Sequence, residues 1–228
     1  MAFEGFPREV TAFFRGLRDN NSKEWFDQHA AEYERVVRKP SLALISDLTA
    51  PLIDLDPPLK AEPRLNGSLR RINRDIRFSA DKTPYQTYQH LIFWVGDHPN
   101  RSPGVHLIIG AKGFGFGSGQ WALEAGQLGR VRQAIIADKG KSLQRALDEA
   151  ASRGARISEP ALKRVPAGFD PQSDVAEFLK HKGFVVRADQ EQVPEEMYDS
   201  RGVDYVLELC RALNPVNAFL MQNAGEED

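Results

Sequence analysis

Apolar residues recur every three to four positions at both ends of the chain and switch to a shorter period in the middle. Val10, Phe13, Phe14 and Leu17 stand at i, i+3, i+4 and i+7, a helical stripe that begins just after Pro7. Asn20 and Asn21 interrupt it, because asparagine tolerates the left-handed geometry of a helix end. Asn21 with Glu24 has the spacing of a capping box. It predicts a second helix with Trp25, Phe26, His29, Tyr33, Val36 and Val37 on its apolar face. Pro40 is expected to stop that helix and Ser41 to cap a third, through Leu42, Ile45 and Leu48. Pro51, Pro57 and Pro58 are expected to break up the chain beyond it.

The period then shortens. Leu91–Val95 is a continuous apolar run rich in β-formers and predicts a central strand. Residues 97–104 carry Pro99, Asn100, Pro103 and Gly104 and predict a loop. Val105, Leu107 and Ile109 alternate with His106 and Ile108. Beyond a turn at 110–113, Phe114 and Phe116 alternate with glycines. The pattern predicts an antiparallel meander of three or more strands. Helical spacing returns with Leu128, Val131 and Ile135, and again with Leu143, Leu147 and Ala150, ending at Gly154. Asp174 is placed to cap a short helix through Phe178 and Leu179, and Phe184–Val186 reads as an edge strand. Val203, Val206, Leu207, Cys210 and Leu213 line a last helix that Pro215 kinks or ends, before an acidic, frayed tail at 225–228.

These elements give an α+β fold: a central antiparallel sheet flanked by N-terminal and C-terminal helices. With no repeat and no low-complexity linker, residues 1–228 are read as a single domain. Hydrophobic residues at 41% and charged residues at 27% exclude a disordered chain. A net charge of −2 carries no global nucleic-acid or membrane signal. A nucleic-acid partner is therefore not expected, and no apolar run approaches the ~20 residues that span a bilayer. One cysteine, Cys210, fits a reducing compartment and falls on an apolar helix face, so it reads as a core residue. The N-terminus lacks the basic and apolar regions of a secretory leader, and the expected location is the cytoplasm.

Charge concentrates at residues 71–85, R-I-N-R-D-I-R-F-S-A-D-K-T-P-Y. Taken as extended chain, Arg71, Asn73, Asp75 and Arg77 share one face, with Ile72, Arg74, Ile76 and Phe78 on the other; taken as a helix, Leu69, Ile72 and Ile76 share a face while Arg70, Arg74 and Arg77 line another. Guanidinium forks at this density suit bidentate capture of a phosphate or carboxylate, or an ion-pair network with Asp75 and Asp81. Both readings stand at this point. Asp81-Lys82-Thr83-Pro84-Tyr85 reads as a rigid turn, Pro84 holding Thr83 extended. Lys82 and Tyr85 are the best proton donors the segment offers if there is chemistry. Lys163 and Arg164, in the proline-braced L-K-R-V-P-A-G-F-D-P, are a second basic element placed to complete a site begun elsewhere.

Other features exclude more than they suggest. The glycines at 113, 115, 117 and 119 lack phosphate-loop spacing; they fit a strand with one bare face, read here as close packing within the sheet. His29, His90, His98, His106 and His181 show no H-x-H or H-x-x-x-H spacing, so no metal centre and no cofactor is expected. His29 reads as a core histidine. Trp25, Trp94 and Trp121 are not interleaved with the basic residues and read as core.

Four segments together carry a resemblance: F-x-G-F-P near the start, N-N-S-K-E-W-F at 20–26, the 71–85 segment, and L-K-R-V-P-A-G-F-D-P at 162–171. The chain resembles a family known mainly from bacteria and fungi, catalogued as domain of unknown function 2461. Gln86 departs from it, standing where a lysine is expected. The resemblance implies an α+β domain and brings no catalytic residue or cofactor. Three readings are open. Arg71, Arg74 and Arg77 hold a small anionic ligand, oriented by Asp75, with Lys163 and Arg164 closing over it. Alternatively, the same surface binds a nucleic-acid or protein partner without chemistry. In the third, the arginines are purely structural.

Overall fold

The computed structural model describes residues 2–225. The first stripe forms helix α1, Val10–Asp19, with Val10, Phe13, Phe14 and Leu17 buried. Helix α2, Lys23–Gln28, is capped by Ser22, whose hydroxyl accepts from the Trp25 amide, and not by Asn21. Asn21 instead clasps Tyr85, donating to its carbonyl at 2.9 Å and accepting from its amide at 3.1 Å. Helix α3, Ala30–Tyr33, runs through a π-helical turn at Glu34–Arg38 straight into helix α4, Lys39–Ile53. Pro40 therefore stops nothing. The wider turn just before it absorbs the missing donor and the bulk of its ring. Ser41 is no cap either; its hydroxyl donates to the Val37 carbonyl one turn back at 2.7 Å. Pro51 likewise sits inside α4.

Strands β1 (Tyr88–Trp94), β2 (Gly104–Gly110) and β3 (Gly113–Gln120) form the expected meander. The sheet has five antiparallel strands in the order β1-β2-β3-β5-β4, where β4 is Arg156–Ile157 and β5 is Phe184–Gln190. Two strand expectations are corrected here. The 91–95 run lies at the first position of the sheet, not the centre. It reads as fully buried because irregular chain covers its outer side, through bridges Lys60↔Trp94 and Leu69↔Leu91. Phe184–Val186, expected at an edge, is inserted between β3 and the two-residue β4.

Helices α5 (Ala125–Ala137) and α6 (Lys141–Ser152) match the spacing that predicts them. The short α7, Ala176–Leu179, begins after Val175 with no side-chain cap, so Asp174 does not cap it. Helix α8, Gly202–Ala224, continues through Pro215. The acidic positions 226–228 lie outside the described residues. Helices cover one face of the sheet: α1 packs on β2, and α8 packs on β2, β3 and β5. Leu91, Phe93, Val105, Leu107, Ile109, Phe114, Phe116 and Val186 point into that core. Cys210 is fully buried there, and burial pushes its thiol well up, away from reactivity. Among the described residues, no helix lines the opposite face.

Candidate functional site

Because side chains alternate along a strand, the register fixes what the uncovered face presents. From β1 it presents Tyr88, His90 and Ile92; from β2, His106 and Ile108; from β5, Val185, Arg187 and Asp189. Between them β3 contributes Gly115, Gly117 and Gly119. One cross-strand row reads Ile92–His106–Gly117–Arg187, and the next His90–Ile108–Gly115–Asp189. The glycines open a trough whose walls are side chains of β2 and β5. These residues line a cavity of about 530 Å³, rimmed by Arg70, Asn100, Ser102, Gln120 and Trp121. That volume lies within the range of small-molecule sites.

The glycine strand serves two ends. A Cβ at Gly117 would meet the Val186 carbonyl at 2.5 Å, and one at Gly119 the Phe184 carbonyl at 1.9 Å. Close approach of β5 requires both glycines, as the sequence suggests, and the same absence of side chains leaves the floor low, overhung at Gly115 by the Asp189 carboxylate. Trp121 is not a core residue; it follows Gly119 in the alternation and stands 76% exposed at the cavity rim.

His90 and His106 are diagonal neighbours on adjacent strands, with Nε2 of the first 2.8 Å from Nδ1 of the second. One shared proton satisfies that contact, so at least one ring is neutral. Burial, reinforced by His106 and Arg70, pushes His90 down to about 3; burial with Arg70 pushes His106 down to about 4. In the unfolded chain both protonate near pH 6.5. Below that pH the unfolded state binds the extra protons, so stability is complete above it and drains as pH falls toward 4. Each ring keeps an exposed edge in the cavity, and water screens part of the cost. We expect denaturant unfolding to lose about 2 kcal/mol between pH 7 and pH 4.5. A His90→Gln/His106→Asn double variant should flatten that slope.

Beside the histidines lies a second, polar cleft. Asn66, Arg70, Arg71, Asn73, Gln86 and Asn100 line it, and it shares Tyr88 and His90 with the trough. Arg70 is set by its backbone. Its amide donates to the His90 carbonyl at 3.0 Å, and its own carbonyl accepts from Gln89 Nε2 at 2.6 Å. Buried Gln89 is itself anchored by the Tyr33 hydroxyl at 2.8 Å. The Arg70 guanidinium donates to Asn100 Oδ1. Burial, then the neighbouring Arg71, pulls its pKa down.

Residues 71–85 form an extended ribbon folded on itself, with Asn73 paired to Tyr85. The two-face alternation holds through Ile72 and Arg74, which turn inward, while Arg71, Asn73, Asp75 and Arg77 are exposed. It fails at Phe78, which is 96% exposed at the ribbon tip. Arg74 donates to Asp81 Oδ2 at 2.6 Å, to the Thr83 carbonyl at 3.0 Å and to the Thr83 hydroxyl. Arg77 grips Asp75 with Nε and Nη2, at 2.9 and 2.7 Å. Those hydrogen bonds hold the Asp75 carboxyl below its usual range, and bonds from Thr83 and Arg74 do the same for Asp81. Lys82 donates to the Ile76 carbonyl at 3.0 Å, and Tyr85 is buried with its ring stacked on Phe26 at 4.5 Å.

Of the candidate ligand-binding and proton-donor residues read from the sequence, only Arg71 borders the cleft next to the open face. Lys163 and Arg164 are exposed on a loop anchored beyond the opposite edge of the sheet, through Ser158 to Val185 and Leu162 to Lys180. They do not close over Arg71, Arg74 and Arg77. His90, His106, Gln89 and Trp121 were legible only through the register of the meander, and the place of Arg70 only through the bond of its amide to His90. The tight turn at Ala111–Lys112 sets Gly110 opposite Gly113 and so puts His106 on the face of the glycines, and the β1–β2 register adds His90 to it. Among the described residues, no three or more His, Cys, Asp or Glu side chains are grouped to hold a metal ion. Nor is any of their helices long and apolar enough to cross a membrane.

Comparison with known proteins adds the family. A search of curated proteins returned no match, and neither did a search of solved structures. The family described as conserved hypothetical protein (DUF2461) matches residues 9–219, which includes the meander, the ribbon, the polar cleft and most of α8. The chain belongs to the DUF2461 family.

Proposed function

We propose that the protein binds a small anionic ligand, phosphate or carboxylate in character, where Arg70 and Arg71 meet the uncovered sheet face. The carrying observation is a charge imbalance. Between residues 62 and 82, Arg64 is paired with Glu62, Arg74 with Asp81 and Arg77 with Asp75. Arg70 and Arg71 are adjacent and line one cleft with amides, the Tyr88 phenol and the His90 imidazole, and among the described residues no carboxylate lines it. Two neighbouring guanidiniums of this kind repel one another until an anion sits between them, and their forks match its oxygens.

Arg74, Arg77, Asp75 and Asp81 act on this reading as a brace that holds the ribbon, and Lys82 and Tyr85 as part of its turn. An extended nucleic-acid surface is disfavoured, because carboxylates already occupy the Arg74 and Arg77 forks. Calorimetric titration of the full chain with inorganic phosphate tests the proposal. Arg71→Ala should weaken binding at least tenfold, whereas Arg77→Ala should leave it within about twofold, each charge-assisted contact being worth ~1.5–3 kcal/mol. Equal losses in the two variants would return the anion to the ribbon, and no binding to the wild type would sink the proposal.

A further inference from the structure

We infer that the ligand carries a planar aromatic ring as well as its anionic group, the combination a nucleoside monophosphate presents, with the ring on the glycine floor of β3 beside Trp121. This rests on the anion reading above and supplies the other half of the ligand.

Three observations converge. First, Gly115, Gly117 and Gly119 are successive open-face positions without a Cβ; the Asp189 carboxylate overhangs Gly115, and at Gly117 and Gly119 a flat body meets backbone. Backbones of β2 and β5 stand two strand spacings apart across that floor, about 10 Å, which leaves room for one ring between their side chains. Second, the next residue in the alternation is Trp121, whose indole is 76% exposed yet borders the same cavity. An indole left in water at a concave rim is the arrangement that stacks on a ring when one arrives. Third, the wall facing the ring is the His90–His106 pair, joined at 2.8 Å and held neutral by burial. Neutral imidazoles offer hydrogen bonds to ring nitrogens and exocyclic groups without placing more positive charge beside Arg70. From β1, where Arg70 is anchored, to β3 is again about 10 Å, comparable with the reach from base to phosphate in a mononucleotide.

Filling the floor would damage the sheet, since a Cβ at Gly117 meets the Val186 carbonyl at 2.5 Å. The test therefore varies the ligand and the exposed indole. Calorimetry on the full chain would compare AMP with ribose 5-phosphate, and indole-3-acetate with acetate, in wild type and Trp121→Ala. Base-on-aromatic stacking is worth about 1–3 kcal/mol, so the ring should add roughly tenfold or more in affinity. Trp121→Ala should bring the paired ligands within about threefold of each other, with ribose 5-phosphate binding and thermal stability unchanged. Whichever ring-bearing ligand binds tighter identifies the anion as phosphate or carboxylate. Equal binding of AMP and ribose 5-phosphate, with no preference for indole-3-acetate over acetate, would overturn the ring and leave the anion site standing. No binding of any of the four would overturn both.

Discussion

Gly119→Ala is expected to cost roughly 3–5 kcal/mol of unfolding free energy, the range of the most damaging single substitutions. Two independent penalties add. Gly119 has φ +115°, a backbone region closed to ordinary side chains, and its added Cβ would fall 1.9 Å from the Phe184 carbonyl. That carbonyl belongs to β5, so the strain cannot relax without parting β3 from β5. Gly129 provides the opposite sign. It lies inside α5 with open space around it, and Gly129→Ala should stabilise by about 0.5–1 kcal/mol. Urea denaturation of the two variants checks both. Wild-type stability in Gly119→Ala would mean that β3 and β5 do not pair as closely as described.

The second large effect concerns the ribbon. Arg74→Ala removes a side chain only 20% exposed, together with its bonds to Asp81, the Thr83 carbonyl and the Thr83 hydroxyl. Losing charge-assisted bonds at a half-buried position should cost about 3 kcal/mol. The ribbon should also loosen around Arg71, so phosphate affinity falls with stability. Arg77 makes an equally well-formed fork with Asp75, yet its side chain is 76% exposed. Water competes for such a pair, and Arg77→Ala should not shift the thermal midpoint measurably. Melting curves of the two variants separate the cases; equal shifts would contradict the brace.

The elements legible in the sequence are those whose signals are local. The stripes of α1, α5, α6 and α8 and the meander were legible because burial on one face leaves a period in the chain itself. Pro40 misled because a proline normally ends a helix, whereas here the π-turn at 34–38 carries the chain past it. Ser22 caps α2 in place of Asn21 because Asn21 is engaged by Tyr85, 64 residues away. The place of β5 depends on pairings across some 70 residues that no local pattern encodes.

The site was hidden for the same reason. His90 and His106 are 16 residues apart and match no ligand spacing, yet the pairing of β1 with β2 across the 95–103 connection makes them touch. Trp121 reads as core because it is not interleaved with the basic residues, and it stands exposed because it lies at the rim of the uncovered face. Arg70 is overshadowed in the sequence by the denser charges just after it. Those charges carry their own carboxylates, and the adjacent pair Arg70–Arg71 is left facing the cleft.

On the proposed function, Arg70 and Arg71, and not Arg74 or Arg77, receive the anion. Side-chain Nε–Hε resonances of the arginines, followed by NMR during titration with inorganic phosphate, report this residue by residue. Saturable shifts are expected at Arg70 and Arg71 on one binding curve, with Arg74 and Arg77 stationary in their carboxylate pairs. Shifts confined to Arg74 and Arg77, or no saturable shift at any of the four, would contradict the proposal.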